Sequence, residues 1–148
     1  LRSRLTFESA VNRGFSFLAE FSNVSYIGDD DFNSTDNGKT QYPVVADPKG
    51  SEVNQALLKY QWQELVATYG RQRINLGNQR FVGAVAWRQN EQTFDGYRAQ
   101  WHSDFGLSAD YAYVYNVNRV FGPDDSAAQP ATWHGPNNFL RSTFNPLD

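Results

Sequence analysis

The sequence predicts an all-β chain: an antiparallel up-and-down sheet of about six strands, part of a transmembrane β-barrel with short periplasmic turns and long extracellular loops. Three observations point there. The strand-like segments alternate polar and apolar residues. The connections between them alternate short and long. No run of about 18 apolar residues exists to make a transmembrane helix, whereas a barrel strand crosses with about 9–11. Short turns gathered at one end and long loops at the other are the layout of an outer-membrane barrel.

The elements follow in order. Residues 1–11 set Leu1, Leu5 and Phe7 against Arg2, Arg4, Thr6 and Glu8, because successive strand side chains point to opposite faces. The tight turn Asn12-Arg13-Gly14 leads into 15–26, where Phe15, Phe17, Ala19 and Phe21 oppose Ser16, Leu18, Glu20 and Ser22. A long excursion over 27–51 follows. Residues 52–60 place Ala56, Leu58 and Tyr60 opposite Gln55, Leu57 and Lys59, and Gln61-Trp62-Gln63-Glu64 turns into 65–73. There Tyr69, Arg71 and Arg73 share a parity, so the face assignment stays open. The stretch 53–68 also contains good helix formers, but the pattern of the whole chain favours strands. A second excursion spans 74–94. Residues 95–101 oppose Tyr97, Ala99 and Trp101 to Arg98 and Gln100, and His102-Ser103-Asp104-Phe105 forms a tight turn. Residues 106–118 alternate most cleanly, with Leu107, Ala109, Tyr111, Tyr113, Tyr115 and Val117 on one face and Ser108, Asp110, Ala112, Val114, Asn116 and Asn118 on the other. The final stretch 119–148, rich in Pro, Gly and Asn, reads as a long loop whose following strand is missing.

Composition supports this outline. The aromatic share is 16% although the mean hydropathy is −0.63, which suits strands with one apolar and one polar face. The chain has no cysteine, which excludes disulfides, thiol catalysis and Cys-ligated zinc. A net charge of −3 argues against nucleic acid as a partner. Residues 1–148 read as one domain or part of one. The chain lacks Met, begins in what looks like mid-strand, and has too few strands to close a pore, so it reads as a piece of a larger barrel or one that further copies complete.

Charge is unevenly spread. Arg71, Arg73, Arg80, Arg88 and Arg98 cluster between Tyr69 and Trp101, with only Glu91 and Asp95 as acids. Asp29, Asp30, Asp31, Asp36 and Asp47 make the excursion 27–50 acidic. Asp29, Asp31 and Asn33 are a candidate Ca²⁺ set by ligand type, but they lack the EF-hand spacing and closing Glu, and a solvated loop is the simpler reading. His102 and His134 are far apart and have no metal-ligand spacing. Ser103-Asp104 beside His102 lacks a nucleophile elbow. Paired carboxylates for sugar cleavage could come from Glu8, Glu20, Glu91 and Asp95, although salt bridges to arginine explain these acids more simply. Trp62 and Trp101 sit at or beside short turns, where an interfacial aromatic belt would place them.

The densest stretch, GRQRINLGNQRFVGAVAWRQNEQTFDG over residues 70–96, resembles the signature of the alginate-export-like outer-membrane porins of Gram-negative bacteria. The acidic loop GDDDFNSTDNGKTQYPVVADPKG and the flanking strands also fit. The resemblance implies passive passage of an anionic solute, such as an oligo- or polysaccharide, in the bacterial outer membrane, with no enzymatic step and no cofactor. It further implies that Arg71, Arg73, Arg80, Arg88 and Arg98 lie in or near the pore. Arg2 and Arg4, on the polar face of the first strand, join them as solute-binding candidates. A guanidinium offers a permanent charge and a fork of donors matched to carboxylates. The alternative for each arginine is a salt bridge to Glu8, Glu20, Glu91 or Asp95 that stiffens the wall. Residues 88–95 are expected to fold inward as a constriction loop, with an ordinary surface loop as the alternative. Expected partners are membrane lipid and lipopolysaccharide, the anionic solute, and the remaining strands or further copies of the chain. Two rival readings stand beside this one: a soluble sugar-binding β-sandwich, and a structural assembly of sheet fragments pairing edge to edge.

Overall fold

A computed structural model describes residues 1–35, 37–125 and 129–145. Seven strands form one antiparallel sheet in sequence order: β1 (Arg2–Glu8), β2 (Phe15–Val24), β3 (Gly50–Trp62), β4 (Leu65–Gln72), β5 (Thr93–His102), β6 (Leu107–Asn118) and β7 (Thr132–Phe144). No helix occurs among the described residues. The helical alternative for 53–68 is thus replaced by β3 and β4, and the six expected strands are present with ends shifted by up to three residues. Among the described residues β1 pairs only with β2 and β7 only with β6, so the sheet is open at both edges.

One expectation fails. The stretch 119–148 is not all loop, because Thr132–Phe144 is a full strand. It pairs with β6 from Leu107↔Phe144 to Asn118↔Thr132, with an irregularity between Val114 and Asn116. His134 accordingly lies in a strand opposite Asn116 rather than in a terminal loop.

The short connections have local causes. Arg13 and Gly14 both have positive φ (51° and 85°), and Asn12 and Phe15 exchange both backbone hydrogen bonds at 2.8 and 2.9 Å. This is the primed hairpin turn whose twist matches the flanking strands. Gln63 (φ 51°) and Gly106 (φ 89°) serve the other two turns. Within the sheet Gly70 and Gly96 face each other in register. A Cβ on either would meet a neighbouring strand's carbonyl oxygen, at 2.3 Å on Ala56 and 2.1 Å on Tyr113, so these positions need glycine for close backbone approach.

Register sorts the side chains into two faces, since paired residues share a side. One face carries Leu5, Phe7, Phe15, Phe17, Phe21, Leu58, Tyr60, Tyr69, Tyr97, Tyr111 and Leu140, all exposed. Tyr69 and Tyr97 stack with ring centroids 4.8 Å apart. Trp62, Leu65 and Trp101 pair across β3, β4 and β5 at the short-turn end of this face. The other face is polar and holds the buried groups. The long connections 25–49, 73–92 and 119–131 all leave from the opposite end and touch one another there. Arg88 donates from Nη1 to the Ala46 carbonyl (2.8 Å) and Asn90 donates to the Pro48 carbonyl (2.9 Å). Gly122 and Gly50 abut Pro48 and Pro123 respectively.

Candidate functional site

The segment 73–92 runs over the polar face instead of projecting away from it. Its Ile74 and Val82 pack with Phe94, Ala112 and Val114, and Leu76, Val117 and Phe139 border this cluster. Ile74 and Val114 are fully buried. Ala112 and Val114 lie on the polar row of β6, so a loop with apolar residues is what removes them from water. The short apolar stretch 81–87 is split in the process. Val82 and Ala84 are buried, while Phe81 and Trp87 are 94% and 80% exposed.

At its far end the segment delivers Glu91 into a cage of arginines. Arg2 and Arg4 reach it from β1, and Arg73 reaches it from the residue after β4. Arg4 and Arg73 also bind Glu20 of β2. Asn54 donates to Glu20 Oε1 (2.6 Å) and to Glu91 Oε2 (3.3 Å), and Thr6 donates to Glu20 Oε2 (3.1 Å). A β-bulge between Glu20 and Phe21 explains why two consecutive residues, Asn54 and Gln55, are both buried on this face: one extra residue in β3 re-aims a side chain. The side chains of Glu91 and Glu20 are only 2% and 5% exposed. A buried carboxylate is tolerated when it is paired and hydrogen-bonded, and both are. Burial pushes the Glu91 carboxyl up, but hydrogen bonds from Arg4 and Arg73 outweigh that and hold it below the usual 4.5. Arg2 Nη1 also binds the carbonyl of Arg88 (2.9 Å) and, more weakly, that of Gln89, so the cage grips backbone as well as side chain.

The structure thus gathers three of the seven candidate arginines, Arg2, Arg4 and Arg73. The other four are dispersed. Arg71 forms a two-pronged pair with Asp95 (Nε to Oδ1, 2.8 Å), which also accepts from Asn116 and Asn118. By alternation along β4 it belongs to the row of Tyr69. Arg98 makes a two-pronged pair with Asp110 (Nε to Oδ1, 2.8 Å) on the polar face. Arg88 binds the Ala46 carbonyl and stacks on Trp87 at 5.0 Å. Arg80 is exposed, with no ion pair among the described residues. Of the acids weighed as partners, Glu20, Glu91 and Asp95 are taken, while Glu8 has no ion pair among the described residues. Glu20 and Glu91 share Arg4 and Arg73 as partners. Sequence reasoning missed Arg141, which lies in the strand taken for a loop.

The acidic excursion gathers around a cation of its own. Lys39 binds Asp30 at 2.6 Å and approaches Asp31 at 3.8 Å. The hydrogen bond from Lys39 lowers the Asp30 carboxyl below its usual value. Asp36 lies outside the described residues, and among those described no group of three acids or histidines could hold a metal ion. Of the Ca²⁺ candidates Asp29, Asp31 and Asn33, Asp31 is approached by Lys39. Asn33 instead uses its backbone to bind Pro43 and Val45.

No match was found among curated proteins or among solved structures. The alginate export family model matches residues 23–124, a span from the end of β2 through β6 that includes the segment 73–92 and Glu91. An all-β up-and-down sheet with one aromatic face is the wall such outer-membrane barrels use, and the match covers more than half of the chain: the protein belongs to the alginate export family.

Proposed function

We propose that this chain forms part of the wall of an outer-membrane channel for passive passage of an anionic solute, an oligo- or polysaccharide, with the segment 73–92 as its constriction. One observation carries the proposal: an amide- and charge-rich segment lies on the polar face and is fastened there by the caged Glu91. A segment held at both ends, by apolar packing at Ile74 and by ion pairs at Glu91, narrows a lumen without plugging it by disorder. The aromatic face takes the lipid and lipopolysaccharide side, with Trp62 and Trp101 at the interface nearest the short turns. The open edges of β1 and β7 take further strands or further copies, since unpaired backbone in lipid is costly. No step requires a cofactor.

Planar-bilayer recording of the full-length protein tests this. We expect stepwise conductance with anion preference, and larger unit conductance when residues 76–83 are replaced by a short Gly-Ser linker. A water-soluble, monomeric protein with no channel activity would overturn the reading.

A further inference from the structure

The aromatic face ends in a polar row on the long-loop side. On β1–β3 the pairs Ser3↔Asn23 and Asn23↔Ser51 stand two residues beyond the apolar pairs Leu5↔Phe21 and Phe21↔Val53. Residues two apart in a strand share a side, so this row points outward like the apolar one. On β4–β6 the row Arg71↔Asp95↔Asn116 follows Tyr69↔Tyr97 in the same way. Arg71 Nη1 donates to the Val53 carbonyl (3.0 Å) while its other nitrogens hold Asp95, which ties the two stretches together at one level. Charged groups are costly in hydrocarbon, so this level belongs to the headgroups, with acyl chains beginning at Leu5, Phe21 and Val53.

A recess of about 470 Å³ lies where the two rows of β1–β3 meet, lined by Ser3, Leu5, Phe21, Asn23, Ser51 and Val53. Arg4 and Glu52 border it, but by register with Ser22 they belong to the opposite face, where Arg4 binds Glu20 and Glu91. The outward groups are therefore apolar, hydroxyl and amide. Asn23 donates to Ser51 Oγ (2.8 Å) and accepts from the Ser25 hydroxyl (2.6 Å), which fixes the row. Among the described residues the Ser3 hydroxyl makes no hydrogen bond and the Ser51 hydroxyl only accepts one. The polar row stands about 7 Å along the strands from the apolar row, a short step from hydrogen-bonding groups to apolar side chains.

We infer that this recess holds one acyl chain of lipopolysaccharide, with the first carbons on Leu5, Phe21 and Val53 and the chain's amide and 3-hydroxyl groups on Ser3 and Ser51. The long-loop side is the outer leaflet of an outer-membrane barrel, and lipid A is the lipid there. An ester-linked phospholipid chain brings neither an amide N–H nor a hydroxyl to such a row. The inference rests on the outer-membrane reading for its leaflet, but the binding does not require conduction.

The test is native mass spectrometry of the full-length protein, refolded free of lipid in detergent micelles, with lipid A and with phosphatidylethanolamine. Lipid A is expected to be retained about tenfold more than phosphatidylethanolamine, since two added hydrogen bonds supply that factor. Ser3→Val combined with Ser51→Val should remove that preference. Val53→Trp, which fills the recess and leaves the polar row in place, should weaken lipid A retention to a similar extent. Dephosphorylated lipid A should be retained within about threefold of the parent, because no cation stands in the recess. Equal retention of the two lipids, loss of retention with the phosphates, or unchanged retention in both variants would each overturn the inference. Selective retention in a protein with no conductance would leave this site standing and remove the channel reading. Conductance without lipid A preference would do the reverse.

Discussion

Replacing Glu91 by Gln removes the one charge that ties the segment 73–92 to β1. The amide has nearly the same shape, so packing is preserved and the effect is electrostatic. Removing one partner of a buried ion pair costs ~3–5 kcal/mol. Here the carboxylate is 2% exposed, but Arg2, Arg4 and Arg73 keep 28%, 25% and 26% of their side-chain surface. Water partly compensates such exposed partners, and Glu20 still pairs with Arg4 and Arg73, so a loss of about 2–3 kcal/mol is expected. The loss falls on the equilibrium between the docked and undocked segment, which corresponds to about 30- to 150-fold more opening. Hydrogen exchange reads this directly, since local opening sets exchange rates. The amides of Leu76, Ala84 and Gln92, which bond within the segment, should exchange faster by that factor, while those of β2 and β3 should not change. Unchanged exchange in the segment would refute the latch. An equal increase throughout the sheet would show that Glu91 supports the barrel wall rather than the loop.

Acid should act on the same latch. The Glu91 carboxyl lies below 4.5 when docked, so its contribution is complete above about pH 4.5 and is lost as pH falls through the lower docked value. Segment exchange or channel noise should therefore rise only below about pH 4.5, and Glu91→Gln should abolish that dependence. At the other end of the segment, Ile74→Ala empties a fully buried position and should weaken docking by about 2–5 kcal/mol, seen as faster proteolysis within 73–92 with the strands still protected.

Much of the sheet was legible in the sequence because one face is apolar and the other polar. Where alternation is clean, as in 107–114, strand, face and partner all follow. β7 was hidden for physical reasons. Gly135 and Pro136 interrupt it, a pairing irregularity near Asn116 shifts its phase, and its apolar row is diluted by Asn138 and Ser142, which pair with Tyr113 and Ala109. An edge strand tolerates Pro and weak patterning, so periodicity gave no signal. Missing β7 also meant missing Arg141. Residues 88–95 were expected to fold inward, and Thr93–Asp95 instead open β5; an arginine pair for Glu91 was weighed, but which arginines supply it was not legible, because Arg2 and Arg4 lie 89 and 87 residues away. The assignment of Arg73 was open by parity, and it resolves because the residue lies just past the end of β4 and turns toward Glu20.

In a membrane wall the aromatic face meets lipid and the polar face meets water. The chain has no cysteine, so single Cys substitutions can carry spin labels along β2 and β5 in bilayers. Labels at Phe17, Ala19, Ala99 and Trp101 should be accessible to oxygen and shielded from an aqueous nickel reagent, and labels at Ser16, Leu18, Gln100 and His102 should show the reverse. Equal aqueous accessibility on both sets would contradict the account, since it would place the tyrosine and phenylalanine face in water.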